Sequence, residues 1–139
     1  MTVLCLSAQD LKAISFGVWK DGILTNETTM AVPPEGYLRA VDGGLKEWGV
    51  ALVEFNAVLV VSGPGSFTSS RVSVVMANAI AFARQIPVLG IENSERLPLS
   101  KFVKVLDSAA WPLVGEAAVP VYDRPPHITF SSAPKSLTP

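Results

Sequence analysis

The chain has 139 residues, room for one domain with or without a tail, and 49% of them are hydrophobic, enough for a core. Eleven basic against twelve acidic residues leave a net charge of −1. That balance argues against a domain that binds nucleic acid by itself, which would carry a basic excess to meet phosphate, so any link to RNA is expected to run through a partner.

The N-terminus has no basic start, and Val3–Leu6 is a short apolar run, as in a central strand buried on both faces rather than a signal peptide. Cys5, the one cysteine, lies in that run and reads as a buried free thiol in a reducing compartment. No apolar stretch nears the roughly 20 residues that span a bilayer, so a soluble, cytoplasmic protein without membrane contact is expected. Ile14, Phe16 and Val18 alternate with Ser15, Gly17 and Trp19, the period of a strand. Asp21-Gly22 then suits a tight hairpin turn, with Ile23–Met30 as the return strand. Pro33-Pro34 ends it.

Tyr37, Leu38, Val41, Leu45 and Trp48 recur at helical spacing up to a stop at Gly49, although Gly43-Gly44 weakens the helix by about 1 kcal/mol per glycine. Ala57–Val61 is a second buried strand. It runs into a glycine-rich loop, after which Val72, Val75, Met76, Ala79, Ile80 and Ala83 mark one stripe of a helix ending near Arg84. Pro87–Ile91 is another short strand, so the middle of the chain predicts a parallel, right-handed strand–helix–strand unit. Past Asn93 the pattern fades. Leu99–Leu106 has a brief helical pattern, and six of the eleven prolines lie between Pro112 and Pro139, which favours an extended segment over a second packed domain.

The loop Ser62-Gly63-Pro64-Gly65-Ser66-Phe67-Thr68-Ser69-Ser70-Arg71 carries what chemistry the sequence offers. Gly63 and Gly65 permit backbone angles that side chains forbid, and Ser66, Thr68 and Ser69 place hydroxyls beside the N–H groups of a helix start. Two readings stand: a tight turn capped by serine or threonine, and an anion site. The loop is neither a Walker loop nor a dinucleotide fingerprint. His127, the single histidine, sits in a proline-rich stretch, so neither a metal site of three or four ligands nor a serine-hydrolase triad can be assembled. No catalytic residue, metal or cofactor is expected.

As a string, Gly63-Pro64-Gly65-Ser66-Phe67-Thr68, with Arg71 after two further residues, resembles the signature of the TsaB (YeaZ) family. The flanking strand and small-residue helix, Pro87-Val88-Leu89-Gly90-Ile91 and the Asp21-Gly22 turn are similar too, and Val119-Pro120-Val121-Tyr122-Asp123-Arg124 resembles the family's closing segment. The resemblance implies an α/β fold: a single actin/Hsp70-like (ribonuclease H-like) lobe with a five-stranded mixed sheet and flanking helices. Family members have two such lobes. Here about 25 residues separate the first-lobe match from the Tyr122 segment, where a second lobe would take roughly a hundred. The second lobe is therefore expected to be almost wholly missing. Residues 1–93 would be the first lobe, 94–130 an extended remnant of the second, and 131–139 a poorly ordered tail.

The resemblance also implies a non-catalytic scaffold subunit of the machinery that makes threonylcarbamoyladenosine in tRNA. Its partner would be a TsaD-like paralogue, a TsaE-like ATPase would join through that complex, and tRNA would be met only indirectly. The implied contact helices are about residues 35–48 and 69–84. The implied partner-binding residues are Tyr37, Leu38, Val41, Trp48, Arg71, Ala77, Asn78 and Ala81. Alone, the same surface would pair two copies. The alternatives are a small nucleotide- or anion-binding module using the Gly63–Arg71 loop, and a degenerate remnant. The family's Asp-Thr after the first strand is replaced by Ser7-Ala8, which argues against ATP hydrolysis. Ser69 and Ser70 stand where the family has glycine and an apolar residue.

Overall fold

The computed structural model describes residues 1–102, 106 and 110–122. The expected His127 and the expected tail at 131–139 lie outside the described residues. The chain opens as a meander of three strands, β1 (Thr2–Ser7), β2 (Ile14–Lys20) and β3 (Ile23–Met30), each antiparallel to the next. Asp21 and Gly22 turn β2 into β3 with φ of 50° and 90°, both in the left-handed region that asparagine, aspartate and glycine tolerate best. A single 3-10 turn over Pro34–Gly36 leads into α1 (Tyr37–Trp48). Gly49 closes that helix with φ 71°, and Val50 donates back to the Leu45 carbonyl, a Schellman-type ending. Strand β4 (Ala57–Gly63), helix α2 (Phe67–Arg84) and strand β5 (Val88–Glu92) complete the pattern.

The five strands run in the order β3-β2-β1-β4-β5, with β4 parallel to both β1 and β5. The fold is the expected α/β lobe with a five-stranded mixed sheet. Its central strands are apolar on both faces because both faces are covered. On one face Leu4, Leu6, Phe16, Val58 and Val60 pack under Tyr37, Val41 and Leu45 of α1 and Val74, Ala77 and Ala81 of α2. On the other, Val3, Cys5, Trp19, Leu59 and Val61 pack against Leu99, Phe102 and Leu106, with Trp111 beside them. The chain after Asn93 therefore contributes to this second core layer, with one 3-10 turn over Leu99–Phe102. Its apolar residues are too few and too unevenly spaced to announce that role.

Helix α1 lies close enough to the sheet that a Cβ on Gly44 would overlap the Phe16 ring, whereas Gly43 faces open space. Gly44 thus admits an aromatic ring where a methyl would not fit. Phe16 also meets Trp48 at 5.4 Å between ring centroids.

Candidate functional site

At the carboxyl ends of β1, β4 and β5, where open α/β sheets tend to hold ligands, the protein fills the space with its own polar groups. The Gln9 amide donates to the carbonyls of Pro64 (2.6 Å) and Asn93 (2.7 Å). Asn93 donates to the Gln9 side-chain oxygen (3.1 Å) and to the Leu97 carbonyl (2.8 Å), and its backbone N–H binds the Gly63 carbonyl (2.7 Å). Both side chains are buried, so this knot ties the three strand ends together. Neither residue stood out in the sequence, since each takes its meaning from a neighbour more than 50 positions away.

The glycine-rich loop abuts that knot. Its Gly63–Pro64 peptide is cis. A Cβ on Gly65 would come within 2.6 Å of the Gln9 carbonyl oxygen, and the Ser66 N–H donates to that same carbonyl at 2.9 Å. Ser66 is the N-cap of α2: its hydroxyl accepts the Ser69 N–H at 3.1 Å and also bonds the Ser69 hydroxyl. Ser69 is fully buried and Thr68 exposed. The geometry shows a capped turn: the hydroxyls of Ser66 and Ser69 bond each other, and Gly63 and Gly65 are buried against neighbouring backbone.

The two helices build a different kind of surface. The sheet receives the small side of α2, through Ser69, Ser73, Val74, Ala77 and Ala81. Ser73 can sit there because its hydroxyl bonds back to the Ser69 carbonyl at 2.8 Å. The stripe Val72, Val75, Met76, Ala79, Ile80 and Ala83 runs outward from there: Val75, Ala79 and Ala83 are exposed, Val72 and Ile80 half-buried, and Met76 buried in the core. With Pro34, Glu35, Leu38 and Leu52 the stripe lines a groove of about 740 Å³, bounded by Arg71 and Arg84. Leu38 is 61% exposed and Val75 57%. Arg84 is tied down by its donations to the Leu52 and Val53 carbonyls (3.0 and 2.8 Å), and Arg71 lies 5.9 Å over the Phe67 ring.

The residues expected at a partner surface therefore separate. Leu38 and Arg71 line the groove. Tyr37, Val41, Ala77 and Ala81 are core residues, at most 3% exposed, and present no surface to a partner. Tyr37 donates its hydroxyl to the Asp10 carbonyl at 2.9 Å, and burial raises its pKa above the ordinary value, with the Ser69 hydroxyl opposing and the Asp10 and Glu35 charges adding. Trp48 is half-buried against the Phe16 side of the core. Asn78 is turned to its own chain, exchanging hydrogen bonds of 3.0 and 2.8 Å with the carbonyl and N–H of Ala118. The groove residues of α2 were visible in the sequence as a stripe, but the side they face was not: both sides of the helix are apolar, and only residue size distinguishes them.

Among the described residues there is no cluster of three or more His, Cys, Asp or Glu able to hold a metal, and no helix long and apolar enough to cross a membrane.

Comparison with known proteins agrees with this architecture. A family model described as TsaD, tRNA N6-adenosine threonylcarbamoyltransferase, matches residues 35–114. The tRNA threonylcarbamoyladenosine biosynthesis protein TsaB of Escherichia coli (strain K12) is 29% identical over 84 residues, 59% of this chain and 36% of that protein. Its namesake in Haemophilus influenzae is 31% identical over 77 residues, 55% of this chain and 33% of that protein. Among solved structures, YeaZ from Pseudomonas aeruginosa superposes with a TM-score of 0.59 at 30% identity, covering 66% of this chain and 44% of its own. The match thus spans about a third of the curated relatives' length. With the family model matching more than half of the residues and the fold in accord, the chain belongs to the tRNA N6-adenosine threonylcarbamoyltransferase (TsaD) family, as a TsaB/YeaZ-like member.

Proposed function

We propose that this chain acts in threonylcarbamoyladenosine modification of tRNA as a non-catalytic scaffold that docks a TsaD-like paralogue on the groove between α1 and α2. A TsaE-like ATPase would join through that complex, and tRNA would be met only by the assembly, in keeping with a net charge of −1. The observation that carries the reading is the groove in which Val72, Val75, Ala79 and Ile80 share a lining with Leu38, Val75 and Leu38 each being more than half exposed. A contiguous apolar surface of this kind, on helices already anchored to a sheet by their other side, is what a helix-on-helix interface buries. The names of the relatives supply the pathway. The Gln9–Asn93 knot and the self-capped loop speak for a scaffold over a nucleotide-binding module.

Co-expression with the TsaD-like protein of the same genome, followed by size exclusion with light scattering, tests this directly. A one-to-one complex is expected, and Val75→Glu should abolish it by placing a charge in the buried stripe. Separate elution of two folded proteins at micromolar concentration sinks the proposal.

A further inference from the structure

We infer that the Gly63–Phe67 loop, with the adjoining parts of β5 and α2, is a receptor for an extended Ala-Val-Pro-Val-Tyr peptide, filled in this chain by residues 118–122. The segment is held at four places. The Asn78 amide takes both the N–H and the carbonyl of Ala118, as a neighbouring strand would. The Val121 N–H donates to the Ser62 carbonyl at 2.7 Å. Tyr122 forms a parallel bridge with Gly65, and its ring lies 4.7 Å from that of Phe67. Two glycines leave the space: a Cβ on Gly63 would overlap the Val121 carbonyl, and one on Gly90 would sit 3.1 Å from the Ala118 methyl.

Recognition through main-chain bonds, with one aromatic anchor and few other side-chain demands, is the chemistry by which a protein adds an extended peptide to itself. Pro120 suits such a ligand, because its fixed φ lowers the ordering cost and its missing N–H leaves no donor to satisfy. The connection to the lobe is slight. Leu113 and Val114 are exposed, Gly115 turns the chain with φ 98°, and Glu116 closes the turn on the Leu113 carbonyl at 3.1 Å. The peptide is therefore a ligand tethered at high effective concentration. This reading does not depend on the docking proposal, since the Asn78 and Gly63 contacts lie outside the α1–α2 groove.

The test uses the full chain with a protease site placed in the turn at 113–116. After cleavage, the C-terminal piece should stay with the folded lobe through size exclusion at micromolar concentration, and an excess of a synthetic peptide spanning 116–122 should displace it. Asn78→Ala and Tyr122→Ala should each weaken retention about tenfold, while Val119→Ser, at a position 71% exposed, should leave it unchanged. Release of the piece from a folded lobe overturns the inference. So does unfolding on cleavage, which would make the segment core rather than ligand, or full retention by Asn78→Ala.

Discussion

Gly43 and Gly44 are adjacent in α1, yet substitution by alanine should act on them in opposite directions. At Gly43 the new methyl meets nothing, so the gain in helix propensity should stabilise the protein by about 0.5–1 kcal/mol. At Gly44 the same methyl meets Phe16, and the overpacking should exceed that gain, with a net loss of about 1–3 kcal/mol. Urea unfolding of the two variants reads this as midpoints moving apart with unchanged slope. Ser66→Ala should lose about 1–2 kcal/mol, because it removes the cap on the Ser69 N–H and leaves the buried Ser69 hydroxyl without that partner. Phosphate at millimolar concentration should leave the melting temperature of the wild-type protein where it is, since the Ser66 and Ser69 hydroxyls are already engaged. A rise of several degrees would restore the anion reading of the loop.

Among the elements, α2 separates folding from recognition most cleanly. Its small side meets the sheet and its branched side faces the groove. Val75→Glu should therefore change stability by less than about 0.5 kcal/mol while abolishing the complex. Ala77→Leu, in the fully buried layer, should cost about 1–3 kcal/mol in stability. Thermal melts beside the co-elution experiment distinguish the two variants. The elements themselves were largely legible in the sequence. A doubly apolar run gave away β1, Asp21-Gly22 the hairpin, and Gly49 the end of α1, because each depends on local stereochemistry. The facing of α2 was not legible, since close packing on a sheet selects small residues and a periodicity of apolar residues is blind to size. The same limit hid the burial of Ala77 and Ala81, and the engagement of Asn78 with Ala118, 40 positions away. The glycine loop was legible as a string but ambiguous as chemistry: hydroxyls at a helix start look alike whether they await an anion or bond each other.

Across the whole molecule, two buried acids tilt stability against alkali. Burial, helped by the charge of Glu27, pushes the Cys5 thiol up to about 12, and burial raises Tyr37 as well. Both groups hold their protons more tightly when folded than when unfolded. The stability this represents is complete below the unfolded value, near 9 for the thiol, and is lost as pH climbs towards 12. Unfolding free energy should fall with pH across that window, Cys5 contributing up to about 1.4 kcal/mol per unit. In Cys5→Ala the decline should be shallower, which urea titrations from pH 8 to 11 would show. An equal slope in both proteins would remove the thiol from the account.

The location of that thiol also makes it a clock. Cys5 lies on β1, the strand at the middle of the sheet, flanked by β2 and β4 and covered on its face by Leu99, Phe102, Leu106 and Trp111. Fraying of an edge strand does not reach it, so a maleimide or disulfide reagent must wait for the lobe itself to open. With reagent in the regime where closing outruns reaction, the labelling rate divided by that of an unfolded peptide gives the fraction of time the sheet is open, with no denaturant and no introduced probe. Binding a partner on the distant α1–α2 groove should then slow the labelling of Cys5 by the factor that mass action predicts, turning one atom in the core into a gauge of occupancy at the surface.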